Sequence, residues 1–402
     1  MKTISYGTTK VACYLGYITQ AISVNLLPLL YVTFQREFSI TLAQLGLLGT
    51  VLFVIQIAVD LLAARFSKHL SYRMGCVAAH VFATAGLVLM SFLPYLTSTP
   101  YVGVLSSALL LSIGGGLIEV LISPVIDAIP GEGKTGEMSL LHSFYCWGVV
   151  GVALLSTLFF VVLGTAAWRW LMLLWALVPA ATALLFLWVP MPAKPEEIAE
   201  AKGSSSHFMH SGLFWLFMAL MLFSGASELG LAQWASLFAE RGLRVTKTLG
   251  DLLGPCAFAF FQGLSRVVYA RLTLRYDARR LLVMCAVGCV LSYGTIVLSP
   301  WPFVSLLGFC LAGLFVGPMW PGVLSLSSAH FPVGGTAMFA LLALCGDLGC
   351  SSAPAIVGAV SESLQARIPL VDALRGGFGV SMVFPVLLVI GLLWLRKRKT
   401  VN

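Results

Sequence analysis

Leu111 to Gly148 comprises two apolar segments joined by a short polar loop at Asp127 to Gly136, and each segment carries an ionisable residue inside its apolar run, Glu119 in the first and His142 in the second. Glu119 lies in a glycine-rich segment ahead of Ser123 and Asp127, and their four-residue spacing places these oxygen-bearing side chains along one helix face. His142 lies in the next apolar segment, at a depth that differs from that of Glu119 by about 5 Å if both segments rise about 1.5 Å per residue. We therefore predict a proton-sensitive carboxylate–imidazole pair. A structural pair that only ties the two segments together is the alternative.

Two more acids lie inside apolar segments of the second half of the chain. Glu228 lies in SGASELGLAQW, ahead of Gln233 and Trp234, and an indole with amides near a carboxylate suits a hydroxyl-rich or cationic ligand. Trp234 alone is also what an interfacial aromatic belt would contain. Asp347, in CGDLGCSS, is expected either to couple proton binding or to form a latch with Arg266. The proton-coupling candidates are Glu119, His142, Glu228 and Asp347.

The first apolar segment carries two amides, Gln20 and Asn25. Their five-residue separation turns them apart by about 140° on a helix, so both cannot face one cavity squarely. Each amide is expected either to contact a ligand or to join two helices. The candidate ligand contacts are Gln20, Asn25, Ser123, Gln233, Trp234 and Trp320.

The amino-acid composition of the chain indicates which kind of structural element carries these residues. The chain has 402 residues, of which 59% are hydrophobic and only 10% are charged, and its mean hydropathy is +0.96. This is too little polar surface for a soluble globule of this size, so we predict an all-α integral membrane protein. Twelve segments reach the length of about 20 apolar residues that crosses a bilayer. They are residues 11–33, 42–64, 74–96, 102–126, 138–163, 169–189, 212–238, 249–271, 281–299, 303–328, 336–361 and 376–395.

Lysine and arginine set the predicted orientation in the cell (inner) membrane. With the N-terminus in the cytoplasm, most basic residues, including the tail from Arg396 to Lys399, fall on the inner side, so both termini are predicted to be cytoplasmic. The N-terminal segment has no A-x-A-like cleavage site and is expected to be retained. The net charge of +8 then reflects contact with the inner leaflet and not nucleic-acid binding. The nine cysteines lack C-x-x-C spacing, so we expect no disulfide framework, metal site or cofactor.

A repeat relates the two halves of the chain. The second apolar segment ends in QIAVDLLAARFSKHLSYR and the eighth in QGLSRVVYARLTLRYDAR. Equivalent positions are Gln56 and Gln262, Asp60 and Arg266, and Arg65 and Arg271. This offset predicts two six-helix pseudo-symmetric halves, at 1–189 and 212–402, joined by a polar cytoplasmic linker at 190–211. Gate contacts are expected from the four charged residues near the cytoplasmic ends, which are Asp60, Arg65, Arg266 and Arg271.

Twelve helices, a six-plus-six repeat and a polar central loop resemble the major facilitator superfamily over essentially the whole chain. The family's loop between helices 2 and 3 reads G-x-x-x-D-R-x-G-R, and its defined places are occupied by Asp60, Ala64, Arg65, Ser67 and Lys68. Ala64 stands where the motif has an acid, whereas Asp60 lies one turn earlier on the same face. The resemblance implies alternating-access transport, with this loop in the cytoplasmic gate.

Within that superfamily the chain is similar to the fucose-permease-type sugar and proton symporters. The similarity rests on the glycine-rich fourth helix, which carries Glu119 ahead of Ser123 and Pro124, and on Trp320 and Pro321 in the tenth helix. It implies a sugar as the solute and a proton as the coupling ion. That group has an acid in helix 1, where this chain has only amides.

These observations predict a secondary active transporter that moves a small polar solute, with a sugar as the first candidate, by proton-coupled alternating access. An exporter or flippase of amphipathic compounds is the main alternative, and a non-transporting membrane receptor is a further one. We do not expect an enzyme, because Ser139, His142 and Cys146 share a helix face without forming a demonstrated nucleophile–base pair. The expected partners are the solute, protons and the lipid bilayer, without nucleic acid, and the expected assembly is a monomer.

Overall fold

The computed structural model describes residues 5–195, 197 and 208–397. Within these residues the regular secondary structure is helical, and 12 helices are long and apolar enough to cross a membrane. They are α1 (Gly7–Phe38), α2 (Gln44–His69), α3 (Tyr72–Met90), α4 (Pro100–Ala128), α5 (Lys134–Leu163), α6 (Thr165–Trp188), α7 (Gly212–Leu243), α8 (Leu249–Leu272), α9 (Ala278–Leu298), α10 (Pro302–His330), α11 (Gly335–Gln365) and α12 (Leu370–Leu395). The predicted all-α membrane fold with twelve spans is confirmed. Half of the predicted linker, namely residues 196 and 198–207, and the tail beyond residue 397 lie outside the described residues.

α1 and α7 are interrupted in the same way. The helical pieces are Gly7–Asn25 and Tyr31–Phe38 in α1, and Gly212–Ala232 and Ala235–Leu243 in α7. In α1 the break is a 3-10 turn that contains Pro28, whose ring removes a backbone N–H donor. Both second pieces end in a left-handed residue, Ser39 and Arg244, each with φ of 54°. The two helices therefore end in similar backbone turns, although the residues at these two positions are chemically different.

The chain divides into two compact units. Unit 1 comprises Met1–Pro130, Phe144–Ser205 and Val333–Leu341, and unit 2 comprises Gly131–Ser143, Ser206–Pro332 and Leu342–Asn402. The first turns of α5 thus belong to unit 2, and the start of α11 belongs to unit 1. The two halves at 1–189 and 212–402, which follow the covalent order of the chain, remain a prediction.

Three consecutive glycines of α4 bring three helices of unit 1 close to it. A Cβ at Gly114 would lie 2.7 Å from backbone atoms of α3, namely the Ala79 oxygen and the Ala83 nitrogen. A Cβ at Gly115 would lie 3.3 Å from Ser23 of α1, and one at Gly116 would lie 3.1 Å from Val59 of α2. Each glycine therefore faces a different neighbour, and the next turn of α4 is within reach of side chains from both α1 and α2.

Glycines also form the crossing of α7 and α11 in unit 2. A Cβ at Gly225 would collide with the Gly346 carbonyl oxygen, and one at Gly349 would collide with the Leu222 carbonyl oxygen. The Trp320 ring of α10 lies against Gly346, so a side chain there would displace the indole. The close crossing fixes the helix segments on which Glu228 and Asp347 stand.

A cluster of aromatic and charged side chains joins α1, the α3–α4 connection and α6 in unit 1. Glu37 accepts hydrogen bonds from Trp168 Nε1, at 2.7 Å, and from the Tyr95 hydroxyl. The Arg169 guanidinium lies 4.5 Å from the Tyr95 ring centroid, and its Nε donates to the Ser91 carbonyl oxygen at 2.7 Å. Burial, together with the hydrogen bond and the charge of Glu37, raises the pKa of Tyr95 to about 12. The phenol therefore stays neutral at physiological pH.

Candidate functional site

Glu119 of α4 is bound by two amide side chains in unit 1. Its Oε2 accepts hydrogen bonds from Gln20 Nε2 of α1 at 2.8 Å and from Gln56 Nε2 of α2 at 2.5 Å. The glycines one turn earlier bring both helices close enough for these contacts. Gln20 is 6% exposed, and its Oε1 is buried without a hydrogen-bond partner. We refer to Gln20, Gln56 and Glu119 as the amide–carboxylate cluster.

A pair of hydroxyls lies one helical turn from this cluster. The Tyr17 hydroxyl of α1 and the Ser123 Oγ of α4 are hydrogen-bonded at 2.7 Å. Both residues are buried. The pair extends the polar surface that α1 and α4 share, because Tyr17 precedes Gln20 by three residues and Ser123 follows Glu119 by four.

Contacts between α1 and α5 border the same part of unit 1. The Asn25 side-chain amide donates to the Ala21 carbonyl oxygen at 3.0 Å and to the Tyr145 hydroxyl at 3.4 Å. The rings of Tyr14 and Phe144 are stacked, with centroids 4.4 Å apart and planes within 4°. Asn25 is thus placed between its own helix and α5. Sequence reasoning did not identify Tyr14 or Tyr145.

The structure brings Arg266 and Glu228 together in unit 2. Arg266 Nη2 of α8 lies 3.6 Å from Glu228 Oε2 of α7, and the two side chains are 3% and 13% exposed. Arg266 Nε also donates to the Gly317 carbonyl oxygen of α10 at 2.8 Å. An acceptor is open there because Pro321, four residues on, has no N–H to donate. Sequence reasoning paired Arg266 with Asp347 and treated Glu228 separately.

His142 contributes its backbone carbonyl to the same arginine. Arg266 Nη1 donates to the His142 carbonyl oxygen at 2.9 Å, and the Ser139 hydroxyl donates to the Arg266 carbonyl oxygen at 2.8 Å. His142 lies in the Gly131–Ser143 segment of unit 2, whereas the amide–carboxylate cluster lies in unit 1. The pairing of Glu119 with His142 stays a prediction.

The remaining solute-contact candidates have different surroundings. Trp234 Nε1 donates to the Pro354 carbonyl oxygen of α11 at 3.1 Å, which ties α7 to α11. Gln233 is exposed at the break of α7. Trp320 is buried against Gly346, next to the buried Asp347. Their predicted contacts with a solute stay predictions.

The four gate candidates fall into a buried pair and an exposed pair. Asp60 of α2 and Arg266 of α8 are buried, whereas Arg65 and Arg271, one turn further along the same helices, are exposed. Arg65 lies over the ring of its neighbour Phe66 at 5.8 Å. The equivalent positions of the repeat therefore share their burial, although the buried position holds an acid in α2 and a base in α8.

Metal-ligating side chains are not gathered anywhere in the described part of the chain. No group of three or more His, Cys, Asp or Glu residues there could hold a metal ion, and all nine cysteines are free thiols. Sequence reasoning placed Ser139, His142 and Cys146 on one helix face. The Ser139 hydroxyl donates a hydrogen bond to the Arg266 carbonyl oxygen.

Comparison with known proteins relates this fold to membrane transporters. The family model described as Major Facilitator Superfamily matches residues 13–257 and 245–402. The structure of the E. coli fucose:proton symporter FucP in the outward conformation has a TM-score of 0.76 and 16% identity, over 95% of this chain and 99% of that chain. The proton:xylose symporter XylE has a TM-score of 0.81 and 13% identity, over 97% of this chain and 95% of that chain. The human organic anion transporter MFSD10 has a TM-score of 0.73 and 16% identity, over 97% of this chain and 100% of that chain. No curated protein matches the sequence.

Proposed function

Since the chain belongs to the major facilitator superfamily, we propose that it is a secondary active transporter that moves a small polar solute by alternating access coupled to protons. A sugar is the first candidate solute. The observation that carries the proposal is the amide–carboxylate cluster in unit 1. The proposal includes a monomer in the cell membrane, with both termini in the cytoplasm.

The chemistry around the amide–carboxylate cluster supports a hydroxyl-bearing solute. A carboxylate inside a membrane bundle costs free energy and by default marks a functional site. Gln20 Oε1 is an acceptor without a hydrogen bond, and the Tyr17–Ser123 pair supplies hydroxyls that both donate and accept. Sugar hydroxyls match this mixture of donors and acceptors. The stacked rings of Tyr14 and Phe144 add apolar surface for the faces of a sugar ring.

A proton changes the hydrogen bonding that Glu119 offers. The ionised carboxylate only accepts, whereas the neutral acid also has an O–H to donate. Gln20 and Gln56 both donate to Oε2, and a proton on the carboxyl group changes which solute groups can bind. By linkage, the solute changes the affinity for the proton by the same factor. Coupled transport follows when the empty and the doubly loaded carrier both change between the two access states and the singly loaded carrier does not.

The structural neighbours support two different kinds of solute. FucP is described as a fucose:proton symporter and XylE as a proton:xylose symporter, which supports a sugar and a proton here. MFSD10 is described as an organic anion transporter, which supports the alternative of an exporter of amphipathic compounds. The experiment must therefore compare these two solute classes directly.

The test is uptake into proteoliposomes that contain the full chain and an internal pH-sensitive dye. Neutral monosaccharides and amphipathic organic anions are supplied in parallel, with and without an inward proton gradient. We expect monosaccharides to drive proton entry and to accumulate against their gradient, and the organic anions to do neither. Accumulation of the anions alone, or of neither class, would overturn the proposed function.

The variant Glu119→Gln tests whether Glu119 binds the coupled proton. It keeps the size of the side chain but fixes the site in a neutral form, so accumulation should be lost while exchange of solute for solute continues. Both rates are measured between about pH 5 and 8, the range in which a histidine also titrates. The matched control is Glu362→Gln, an exposed acid of α11, which should behave as wild type. Accumulation by Glu119→Gln at the wild-type level would move the proton site elsewhere, with Glu228 and Asp347 next in line.

A further inference from the structure

The first residues after α6 pack against unit 1. Residues 189–194 belong to no helix, and Val189, Pro192 and Lys194 among them are buried. They run past the beginnings of α1 and α3 and the end of α2. We call residues 189–194 the strap. Apart from Val189, the strap is the opening part of the stretch that the sequence predicts to be a polar linker.

Hydrogen bonds fix the point at which the strap begins. Arg73 Nη1, in the first turn of α3, donates to the carbonyl oxygens of Phe186 at 3.0 Å and Leu187 at 2.5 Å, at the end of α6. The Thr9 hydroxyl of α1 donates to the Pro190 carbonyl oxygen at 2.6 Å. The strap therefore leaves α6 from a position that α1 and α3 both hold.

Lys194 attaches the other end of the strap to α2. Its side chain is 5% exposed, and its Nζ donates to the Ser67 carbonyl oxygen at 3.1 Å. The same oxygen accepts the Leu70 N–H at 3.3 Å in the 3-10 turn that closes α2. Nζ also lies 5.8 Å from the centroid of the Tyr72 ring and 3.4 Å from Oε1 of Glu197, which is 61% exposed.

The end of a helix favours a cation in this position. The last carbonyl groups of a helix have no donor within the helix and carry a partial negative charge. Lysine is seldom buried, because its ammonium group then loses hydration. Here the Ser67 carbonyl oxygen and the face of the Tyr72 ring replace water around Lys194. The ion pair with the exposed Glu197 adds little.

We propose that the strap holds the last turn of α2, Ser67–His69, against the ends of α1, α3 and α6, with Lys194 as the positioning residue. Without the ammonium group of Lys194, this turn opens locally while the rest of unit 1 stays folded. Because Arg65 lies just before this turn, the strap gives a gate candidate a fixed support. The inference goes beyond the proposed function, since these residues act in the same way whichever solute is moved.

The experiment is hydrogen–deuterium exchange of the full chain in nanodiscs, read by mass spectrometry. The Leu70 amide is a direct reporter, because it shares the Ser67 oxygen with Lys194. Lys194→Met keeps an unbranched apolar side chain and removes the ammonium group. Peptides that cover residues 67–75 should then exchange about tenfold faster, as expected for loss of one hydrogen bond to a charged group. Peptides from α4 should keep their wild-type exchange.

Two further variants separate the cap on α2 from other effects of Lys194. Lys194→Arg should restore wild-type exchange, because a guanidinium also donates to a carbonyl oxygen and lies over an aromatic ring. The matched control Glu197→Gln removes the exposed ion pair but leaves the bond to Ser67 intact. Its exchange should equal that of wild type.

The proposal is overturned if Lys194→Met exchanges as wild type in residues 67–75, or if Lys194→Arg exchanges as fast as Lys194→Met. Equal acceleration in the peptides of α4 would also overturn it, since the strap would then stabilise the whole unit and not one turn. If gel filtration shows that Lys194→Met does not fold, Thr9→Val decides, because it detaches the strap at its other end. Unchanged exchange of residues 67–75 in Thr9→Val would then overturn the proposal. The measurement needs no solute, so its outcome is independent of the proposed function.

Discussion

Glu119 receives both hydrogen bonds of the amide–carboxylate cluster on a single carboxylate oxygen. The two groups of the cluster that donate to this carboxylate are neutral amides, so they orient it without placing a charge beside it. A coupling site needs this property, because it must be stable with and without the proton.

Tyr95 provides a residue-scale test of the cluster around Glu37. Its pKa is raised to about 12 by burial first and then by Glu37. In the unfolded chain a tyrosine ionises near pH 10. The contribution of neutral Tyr95 to the free energy of unfolding is therefore complete below about pH 10 and is lost as the pH rises towards 12. The melting temperature of wild type in detergent should therefore fall more steeply above about pH 10 than that of Tyr95→Phe.

The matched control for this titration is Tyr276→Phe, which removes an exposed tyrosine. Its melting temperature should follow the wild-type curve throughout. Equal slopes for Tyr95→Phe and wild type would show that ionisation of Tyr95 does not contribute to alkaline unfolding.

Sequence alone identified Glu119, Gln20 and Ser123 as separate candidates but could not show which of them bind one another. Partner choice depends on the rotation of each helix about its axis, which differs by about 100° from one residue to the next. Tyr14, Tyr17 and Gln20 follow one another at three-residue steps, and this spacing was the available signal for Tyr14 and Tyr17, which sequence reasoning missed together with Tyr145. No comparable signal linked Arg266 to Glu228.

At the scale of helices, α4 depends on its three glycines. Gly114→Ala would place a Cβ 2.7 Å from the backbone of α3, and such overpacking typically costs about 1–3 kcal/mol. The variant should melt at a lower temperature and lose solute uptake, because the amide–carboxylate cluster depends on the same helix packing. Fluorescence-detected melting in detergent measures the first effect and proteoliposome uptake measures the second.

Gly151→Ala in α5 is the matched control, since nothing lies within 4 Å of a Cβ there. In a helix this change removes the conformational cost of glycine, about 1 kcal/mol, so stability should stay equal or rise. If Gly114→Ala and Gly151→Ala have the same melting temperature, the close approach of α3 and α4 is not required for folding.

The helices themselves were largely predictable, because length and apolarity decide whether a segment spans a membrane. Their interruptions were not. Pro28 predicts a break in α1. No proline stands at the corresponding break of α7, between Ala232 and Ala235. Apolarity also did not locate the end of the third span. The predicted span continued to residue 96, whereas α3 ends at Met90.

At the scale of the whole molecule, Asp60 is expected to bias the balance between the two access states and not to bind solute. It is buried in α2, at the position that Arg266 occupies in the repeat. Asp60→Asn should change the apparent solute affinity by no more than the change in the fraction of competent carrier. Solute binding is measured in detergent for wild type and Asp60→Asn, each locked in one access state by a conformation-selective binder. If the locked variant cannot bind solute, the gate assignment of Asp60 is wrong.

Ser39 and Arg244 adopt the same left-handed turn within one residue of equivalent places in the predicted repeat, although one is a small hydroxyl residue and the other a long cation. The repeat thus preserves the backbone path where it does not preserve the residue. One consequence is experimental, because the predicted repeat supplies two matched turns within one polypeptide. A substitution made at one of these turns can be repeated at the other, in the same preparation and the same bilayer. Equal effects on stability would show what the turn itself requires, and unequal effects would show what the surroundings of each turn contribute.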